Sequence, residues 1–326
     1  MHAIRLHEFG PAENLRYEQV PDPVPAAGQV RVAVEASGVH LIDTTLRAGQ
    51  GGGGSLPLPA LPSIPGREVA GTVDSVGDGV DPAWVGRRVV AHLGGAGAGY
   101  ARLAVVPVES LHVLPDGLAA DAAVAMIGTG RTAVGVLAAA ALTADDVVLV
   151  TAAAGGLGSL LVQAGRNAGA VVVGVAGGAE KVERVRALGA THAVDYTASD
   201  WPERVRAALG SREVSVVLDG VGGALGRAAM ELLGVRGRLV MFGWSSGELV
   251  PFTSTDLVER GLTATWPISR HQIGRPGFLR GLETQALAEA AAGRLVPLVH
   301  RFPLERAADA HTALETRRTT GKVVLV

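Results

Sequence analysis

The sequence contains no cysteine among its 326 residues. Disulfides, thiolate nucleophiles and zinc sites built on cysteine are therefore excluded. Charged residues make up only 18% of the chain, the formal net charge is -2, and no block of like charges occurs. Because nucleic acids and anionic membranes attract strongly positive surfaces, this balance predicts that neither is a partner.

The chain also lacks a clear targeting or membrane-spanning segment. Its first ten residues, MHAIRLHEFG, contain no apolar run, and the most apolar long stretch, 118–142, is interrupted by Asp121 and Arg131. A transmembrane helix needs about 20 predominantly apolar residues, and a secretory signal needs an apolar core. We therefore expect a cytoplasmic protein without a membrane span.

The first third of the chain, up to about Ala120, is a series of short segments with strand-like composition. They are punctuated by glycine, proline and Asp-Gly turns, which is typical of a β-rich unit of barrel type. The predicted strands lie in QVRVAVEASGV (29–39), EVAGTVDSVGDGV (68–80), RVVAHLGG (88–95) and YARLAVVP (100–107).

From Val147 onward, apolar runs alternate with helical segments. The runs cover 147–151, 171–175, 193–195, 214–218 and 238–242, and the helices include AEKVERVRALG at 179–189. Strands that alternate with helices predict a parallel sheet wound on both faces. The chain ends in GKVVLV, and we expect this late strand to rejoin the first domain, which makes that domain discontinuous.

The segment TAAAGGLG (151–158) resembles a dinucleotide-binding turn, although Ala153 replaces the first glycine of G-x-G-x-x-G. Gly155 allows a pyrophosphate to approach the backbone, and Gly158 allows the next helix to pack on the strand. Alanine is tolerated at the first position if the turn there needs no positive φ. An ordinary strand-to-helix turn is the alternative, and the surrounding strand–helix–strand unit favours the dinucleotide.

The residues after the second apolar run predict which dinucleotide binds. An NAD site carries an acidic residue there for the ribose 2′-hydroxyl, whereas this chain has AGGA at 176–179. Lys181 begins the next helix, where a cation and backbone donors can meet a 2′-phosphate. We therefore expect NADPH rather than NADH. The alternative is that Lys181, next to Glu180, is simply a solvated charge.

Several motifs in order along the chain resemble the zinc-free quinone oxidoreductases of the medium-chain dehydrogenase/reductase superfamily. They are GREVAGTVDSVGDGV (66–80), GTGRTAVGVL (128–137), TAAAGGLG (151–158), LDGVGG (218–223), FGWSSG (242–247) and ETRRTTGKVVLV (315–326). The resemblance implies a GroES-like β-rich catalytic domain over 1–121 and 268–326. It also implies a Rossmann domain, a doubly wound parallel sheet that binds NADPH, over 122–267.

The resemblance also assigns cofactor contacts residue by residue. Thr132 corresponds to a threonine near the nicotinamide, and Arg317 to an arginine that reaches the cofactor. The other implied contacts are the 2′-phosphate site (Gly177, Lys181 and Tyr196), the segment past the nicotinamide (Phe242, Gly243 and Ser245), and Gly156 and Leu157 of the phosphate turn. Ala153, Gly155 and Gly158 complete that turn by the argument given above.

The segment GVHLIDTTLRAG departs from the family pattern. His40 stands where the family has asparagine, Thr45 replaces a tyrosine, and a second pocket tyrosine gives way to the run Gly51 to Gly54. The loss of two aromatic walls favours bulkier or non-aromatic substrates. Four glycines predict a mobile lid beside the nicotinamide. The alternative is a remote connecting loop.

No metal is expected. Zinc-dependent relatives have a cysteine at the position of His40 and a histidine at that of Arg67, in a GHE that reads GRE here. We expect Arg67 to pair with a carboxylate.

Without zinc, alcohol oxidation lacks its activating group, whereas an electrophilic acceptor takes hydride directly. Thr132 and His40 are candidates to stabilise the developing oxyanion, and His40 could also deliver a proton. Alternatively, His40 binds the cofactor ribose or makes a structural contact.

Three functions therefore remain open: NADPH-dependent reduction of a quinone, reduction of activated alkenes such as enals, enones or enoyl thioesters, and low-turnover NADPH binding of a crystallin-like kind. The partner is a small electrophilic acceptor in the first two.

The segment GLTATWPIS (261–269) is expected to be the last strand of the parallel sheet. Because an exposed edge strand favours pairing with its copy, we expect a homodimer.

Overall fold

The computed structural model of the chain describes residues 1–51, 57–95 and 97–326. Its strands are β1 (His2–Leu6), β2 (Leu15–Gln19), β3 (Gln29–Val39), β4 (Glu68–Val76), β5 (Arg88–His92), β6 (Leu103–Pro107), β7 (Leu111–Val113), β8 (Val147–Val150), β9 (Val171–Ala176), β10 (His192–Asp195), β11 (Val214–Asp219), β12 (Leu233–Met241), β13 (Thr263–Thr265), β14 (Val299–Phe302) and β15 (Lys322–Leu325). Its α-helices are α1 (Leu41–Arg47), α2 (Ala120–Ala125), α3 (Arg131–Ala140), α4 (Gly156–Asn167), α5 (Ala179–Ala187), α6 (Trp201–Leu209), α7 (Gly223–Glu231), α8 (Ser254–Arg260), α9 (Arg270–Ile273), α10 (Phe278–Ala291) and α11 (Ala307–Glu315).

The chain forms two compact units, one of residues 1–128 and 297–326 and the other of residues 129–296. The boundaries predicted at 121/122 and 267/268 therefore differ from those of the structure. The second boundary lies later because α10 packs on α3. Arg131 of α3 donates to Glu283 of α10 at 2.7 Å, and a Cβ on Gly135 would lie 2.7 Å from Ile268. These contacts hold residues 268–296 in the second unit.

The first unit is built on a mixed sheet in the order β14-β15-β3-β4-β5-β7, with β6 also on β3 and a separate β1–β2 hairpin. Alternate residues of β3 and β4, such as Val30, Val32, Val69 and Val73, are buried in one apolar cluster, as the period of two in a strand dictates. The terminal strand β15 pairs antiparallel with β3. The prediction that it rejoins the first domain is thus confirmed.

The second unit contains a six-stranded parallel sheet in the order β10-β9-β8-β11-β12-β13. All four residues of β8 are buried, as expected of a central strand covered on both faces. From β8 the chain adds β9 and β10 on one side of the sheet, and it then adds β11, β12 and β13 on the other side. This confirms the doubly wound prediction, and ligands of such sheets bind outside the carboxyl ends of the strands at this reversal.

The helical run Ala120–Ala140 has the length and hydropathy of a membrane span, and 67% of its apolar window is buried inside the protein. Both interrupting charges are paired: Asp121 with Arg301 and Arg131 with Glu283. A π-helical turn, Met126–Gly130, joins α2 to α3. Such burial and pairing are typical of a helix in a protein core.

Candidate functional site

The predicted nucleotide turn lies at the reversal point of the parallel sheet. It connects the end of β8, Val150, to the start of α4 at Gly156. The residue with positive φ (46°) is Ala152 and not Ala153. Ala153 is fully buried. The turn therefore meets the condition under which alanine replaces the first glycine of the motif.

Two glycines of this turn have different surroundings. A Cβ on Gly158 would lie 2.3 Å from the carbonyl oxygen of Ala152 and 2.7 Å from Cα of Ala153, so only glycine lets α4 pack here. A Cβ on Gly155 would meet only the Ala152 oxygen, at 3.2 Å. The first-turn N–H groups of α4 have no acceptor within the helix, and they carry its positive dipole end. The turn thus offers the features of an anion site, with a glycine at position 155 and free N–H groups at the start of α4.

A buried carboxylate links this turn to the loop after β11. Asp219 is fully buried and accepts from Thr151 Oγ1 at 2.7 Å, from Val221 N at 3.2 Å and from Gly222 N at 2.8 Å. Thr151 Oγ1 in turn accepts from Gly220 N at 3.1 Å. Burial raises the pKa of Asp219. Sequence reasoning missed Asp219, although the Asp that ends an apolar strand in LDGVGG was a usable signal.

The segment predicted to pass the nicotinamide packs on that same loop. Phe242 N donates to Asp219 O at 2.8 Å, and Ser245 N donates to Gly220 O at 3.2 Å. A Cβ on Gly243 would lie 2.8 Å from Gly220 O. The structure therefore brings Phe242, Gly243 and Ser245 beside the loop that Asp219 holds. Thr132 is the second residue of α3 in the same unit.

The residues predicted to bind the 2′-phosphate surround the loop between β9 and α5. Gly178 caps α5 with φ 87°, and Lys181 lies in its first turn. A Cβ on Gly177 would lie 3.1 Å from the Tyr196 hydroxyl. The loop also contacts an acidic side chain that the sequence reading missed: Asp195 Oδ1 accepts from Gly178 N at 3.0 Å.

The first unit contains a cluster of ionisable side chains around His40, three of them buried (Asp43, Glu68 and Lys322) and two partly exposed (His40 and Arg67). We call it the His40 cluster. His40 Nε2 lies 2.9 Å from Glu68 Oε1, and its Nδ1 lies 3.6 Å from Asp43 Oδ2. Lys322 Nζ lies 2.8 Å from Glu68 Oε2. Arg67 Nε donates to Asp43 Oδ1 at 3.3 Å, which confirms that Arg67 pairs with a carboxylate.

Electrostatics holds the His40 cluster together. Burial by itself raises the pKa of Glu68, but the charges of His40 and Lys322 lower it well below its usual range. Two glycines make room for this carboxylate, because a Cβ on Gly38 or Gly128 would lie within 2 Å of it. Both ring nitrogens of His40 thus face carboxylates, which favours the structural alternative for this residue.

Comparisons with known proteins identify the family of the chain. Residues 26–116 match the family described as alcohol dehydrogenase GroES-like domain, and residues 188–325 match zinc-binding dehydrogenase. A quinone oxidoreductase of Salmonella typhimurium is 32% identical over 328 residues, covering 99% of this chain and 98% of the relative. The chain belongs to the quinone oxidoreductase family of the medium-chain dehydrogenase/reductase superfamily. It is an oxidoreductase, as predicted.

Two further similar proteins are informative about the reaction and the cofactor. A 2-haloacrylate reductase of a Burkholderia species is 34% identical over 334 residues, with 99% of this chain and 98% of the relative covered. The crystal structure of Escherichia coli quinone oxidoreductase complexed with NADPH superposes with a TM-score of 0.86 at 30% identity, covering 100% of both chains. The predicted GroES-like and Rossmann folds of this quinone oxidoreductase family member are confirmed.

The residues of this family member do not fit zinc, although one matching family is described as zinc-binding. The position of a metal-binding cysteine holds His40, whose Nε2 faces Glu68, and Glu68 also pairs with Lys322. A guanidinium and an ammonium in the same cluster oppose a divalent cation. Across residues 1–51, 57–95 and 97–326, no group of three or more metal-ligating side chains is arranged to hold an ion.

The cofactor contacts assigned to individual residues all remain predictions, and so does the role of the run Gly51 to Gly54. Arg317 follows α11 in the first unit and has φ 56°. Residues 52–54 of the glycine run Gly51 to Gly54 lie outside the described part of the chain. The lid hypothesis and the connector alternative therefore both stay open.

Proposed function

We propose that the protein is an NADPH-dependent, metal-independent reductase that transfers hydride to a quinone. The observation that carries the proposal is the glycine turn at the reversal point of the sheet, which leads from the end of β8 into the N-terminus of α4 at Gly156. Full-length relatives named quinone oxidoreductase, one of them solved with NADPH, support the cofactor and the reaction type.

The chain's own residues bind and orient the cofactor, which supplies the hydride. Backbone N–H groups of Gly156, Leu157 and Gly158 bind the pyrophosphate, and Lys181 with Tyr196 bind the 2′-phosphate. Asp219 fixes the loop on which Phe242 to Ser245 rest, so that this segment positions the nicotinamide. Arg317 adds a contact to the cofactor. Orientation of this kind, with donors for the developing charge, is what the protein contributes to hydride transfer.

The acceptor's developing oxyanion needs a hydrogen-bond donor, and we assign the hydroxyl of Thr132 to this role. His40 is the other candidate from the sequence. Its Nε2 and Nδ1 both face carboxylates, so proton delivery by His40 requires the ring to leave Glu68. We therefore propose that His40 acts chiefly as part of the His40 cluster.

The acceptor is identified by NADPH consumption against a panel of 1,2- and 1,4-quinones, 2-alkenals and enoyl thioesters. Among these acceptors, we expect a quinone to give the highest kcat/KM. Reduction of alkenes alone would instead assign the function of an activated-alkene reductase. Two observations favour that alternative: the full-length similarity to a 2-haloacrylate reductase and the loss of an aromatic side chain at Thr45. Tight NADPH binding with no turnover of any acceptor would assign the crystallin-like function.

Metal independence has its own test. Because Glu68 and Asp43 are already paired with cations of the protein, dialysis against a strong chelator should leave both activity and thermal stability unchanged. Zinc bound in stoichiometric amount, and lost together with activity, would contradict this prediction.

Replacement of Lys181 by alanine tests the nucleotide preference. A charge-assisted contact to a phosphate is worth about 1.5–3 kcal/mol, so the preference for NADPH over NADH should narrow roughly tenfold or more. Titration of the variant with both nucleotides measures this ratio, and the NADH affinity is the internal control. An unchanged NADPH affinity would remove Lys181 from the site.

We also propose that the protein is a cytoplasmic homodimer. β13 is the last strand in the sheet order of the second unit, and an exposed edge can pair with its copy about a two-fold axis. Light scattering at micromolar concentration should give twice the 33.2 kDa mass of the chain. A monomeric mass would contradict the dimer.

A further inference from the structure

A fixed negative charge lies at the loop that is assigned to the 2′-phosphate. Asp195 ends β10, the strand next to β9. Its Oδ1 accepts from Gly178 N at 3.0 Å, from Thr197 N at 2.9 Å and from Thr197 Oγ1 at 2.7 Å. Gly178 is the cap of α5 and directly follows Gly177. The carboxylate is therefore held against the backbone of the proposed phosphate site.

This carboxylate is ionised at neutral pH. Hydrogen bonds from Gly178 and Thr197 lower its pKa, and the charge of Arg204 adds to the effect. The three donors fix its position as well as its charge. A bound anion would thus meet a stationary like charge rather than a side chain that can turn away.

The contact with Gly178 also removes a donor. The N–H groups at a helix N-terminus are the natural partners of a phosphate, and in α5 the N–H of the cap residue is already taken by Asp195. Like charges within several ångströms repel, and the repulsion is only partly screened by physiological salt. Asp195 therefore acts against the 2′-phosphate in two ways, through its charge and through the donor that it occupies.

We propose that Asp195 is a specificity-determining residue that weakens the binding of NADPH relative to NADH. The proposal rests on the proposed function, because it assumes that the β9–α5 loop receives the adenosine ribose. Lys181 and the absence of an acidic residue at 176–179 favour the 2′-phosphate, and Asp195 limits that preference. The enzyme is thus expected to retain measurable use of NADH.

Asp195→Asn separates charge from shape. The asparagine carbonyl oxygen can accept the same three hydrogen bonds, so the loop keeps its conformation while the charge disappears. The Kd for NADPH should fall about three- to tenfold at low salt, and the Kd for NADH should stay within about twofold. The gain should shrink as the ionic strength rises. Asp195→Ser removes the charge without introducing an amide, so it covers the case in which the asparagine amide disturbs the loop. It should change the ratio of the Kd values for NADPH and NADH in the same direction as Asp195→Asn.

The matched control is Glu289→Gln. Glu289 lies in the same unit and pairs with Arg294 at 2.7 Å on the surface of α10. Its replacement by glutamine changes the net charge of the protein by the same amount as Asp195→Asn. It should leave the ratio of the two dissociation constants unchanged. An unchanged ratio in both Asp195 variants, or a shift equal to that of Glu289→Gln, would overturn the role of Asp195. Failure of the wild-type protein to bind either nucleotide would instead overturn the proposed function.

Discussion

Replacement of Lys322 by methionine is expected to destabilise the protein by about 3–5 kcal/mol, the range for a buried ion pair that loses one partner. Lys322 is 5% exposed and Glu68 is 0% exposed, and their charged atoms lie 2.8 Å apart. The variant leaves Glu68 with the His40 ring, whose Nε2 lies 2.9 Å from Oε1, as its remaining polar contact among these side chains. Because water cannot reach this carboxylate, the loss of the ammonium is not compensated by solvation.

Urea unfolding at neutral pH measures the effect, and the sequence offers a matched control. Lys181 is the only other lysine of the chain and is partly exposed, so Lys181→Met should cost less than about 1 kcal/mol. The double variant Lys322→Met with Glu68→Gln should recover most of the lost stability, because the unpaired charge is gone. A loss below about 1 kcal/mol in Lys322→Met would contradict the stabilising role of the pair.

Replacement of Gly155 by alanine should weaken NADPH binding about ten- to hundredfold, the equivalent of about 1–3 kcal/mol for an overpacked contact. Gly155 has φ -78° and ψ 176°, which alanine adopts without strain. In the free protein its Cβ would meet only one oxygen, at 3.2 Å. The methyl group instead projects to where the pyrophosphate is proposed to approach.

Gly155→Ala should therefore still fold, with a stability loss of about 1 kcal/mol from the 3.2 Å contact of its Cβ with the Ala152 oxygen and from the poorer helix cap. Gly158→Ala is the contrasting variant, because its Cβ would lie 2.3 Å from a backbone oxygen and should lower stability itself. Calorimetric titration with NADPH and thermal unfolding of both variants distinguish the two effects. Wild-type affinity in Gly155→Ala would show that the turn does not receive the pyrophosphate.

Strand alternation and turn residues were enough to predict most of the architecture. β3 occupies the predicted 29–39, and the terminal strand returns to the first unit as expected. β12 begins at Leu233 rather than at 238. The reason is local, since Val235 is exposed and Arg236 takes a positive φ of 63°, which breaks the apolar pattern on which the prediction rested.

The charges of the site were harder to predict than its glycines. A glycine needed for close approach leaves a motif in consecutive residues, as in TAAAGGLG. The Glu68–Lys322 pair joins the start of β4 to the start of β15, and no spacing rule links such distant positions. Asp195 likewise reaches Gly178 only because β10 lies beside β9. Such contacts depend on tertiary structure and become visible only once the strands are paired.

We infer that this chain catalyses hydride transfer from NADPH to an electrophilic acceptor without a metal. The most direct test follows NADPH oxidation and product formation together, with chelator-treated full-length protein and the best quinone of the panel. We expect one reduced acceptor per NADPH consumed, a rate that rises with acceptor concentration, and loss of turnover at low NADPH in Gly155→Ala. NADPH oxidation that is absent with every acceptor, or that returns only on addition of zinc, would contradict it.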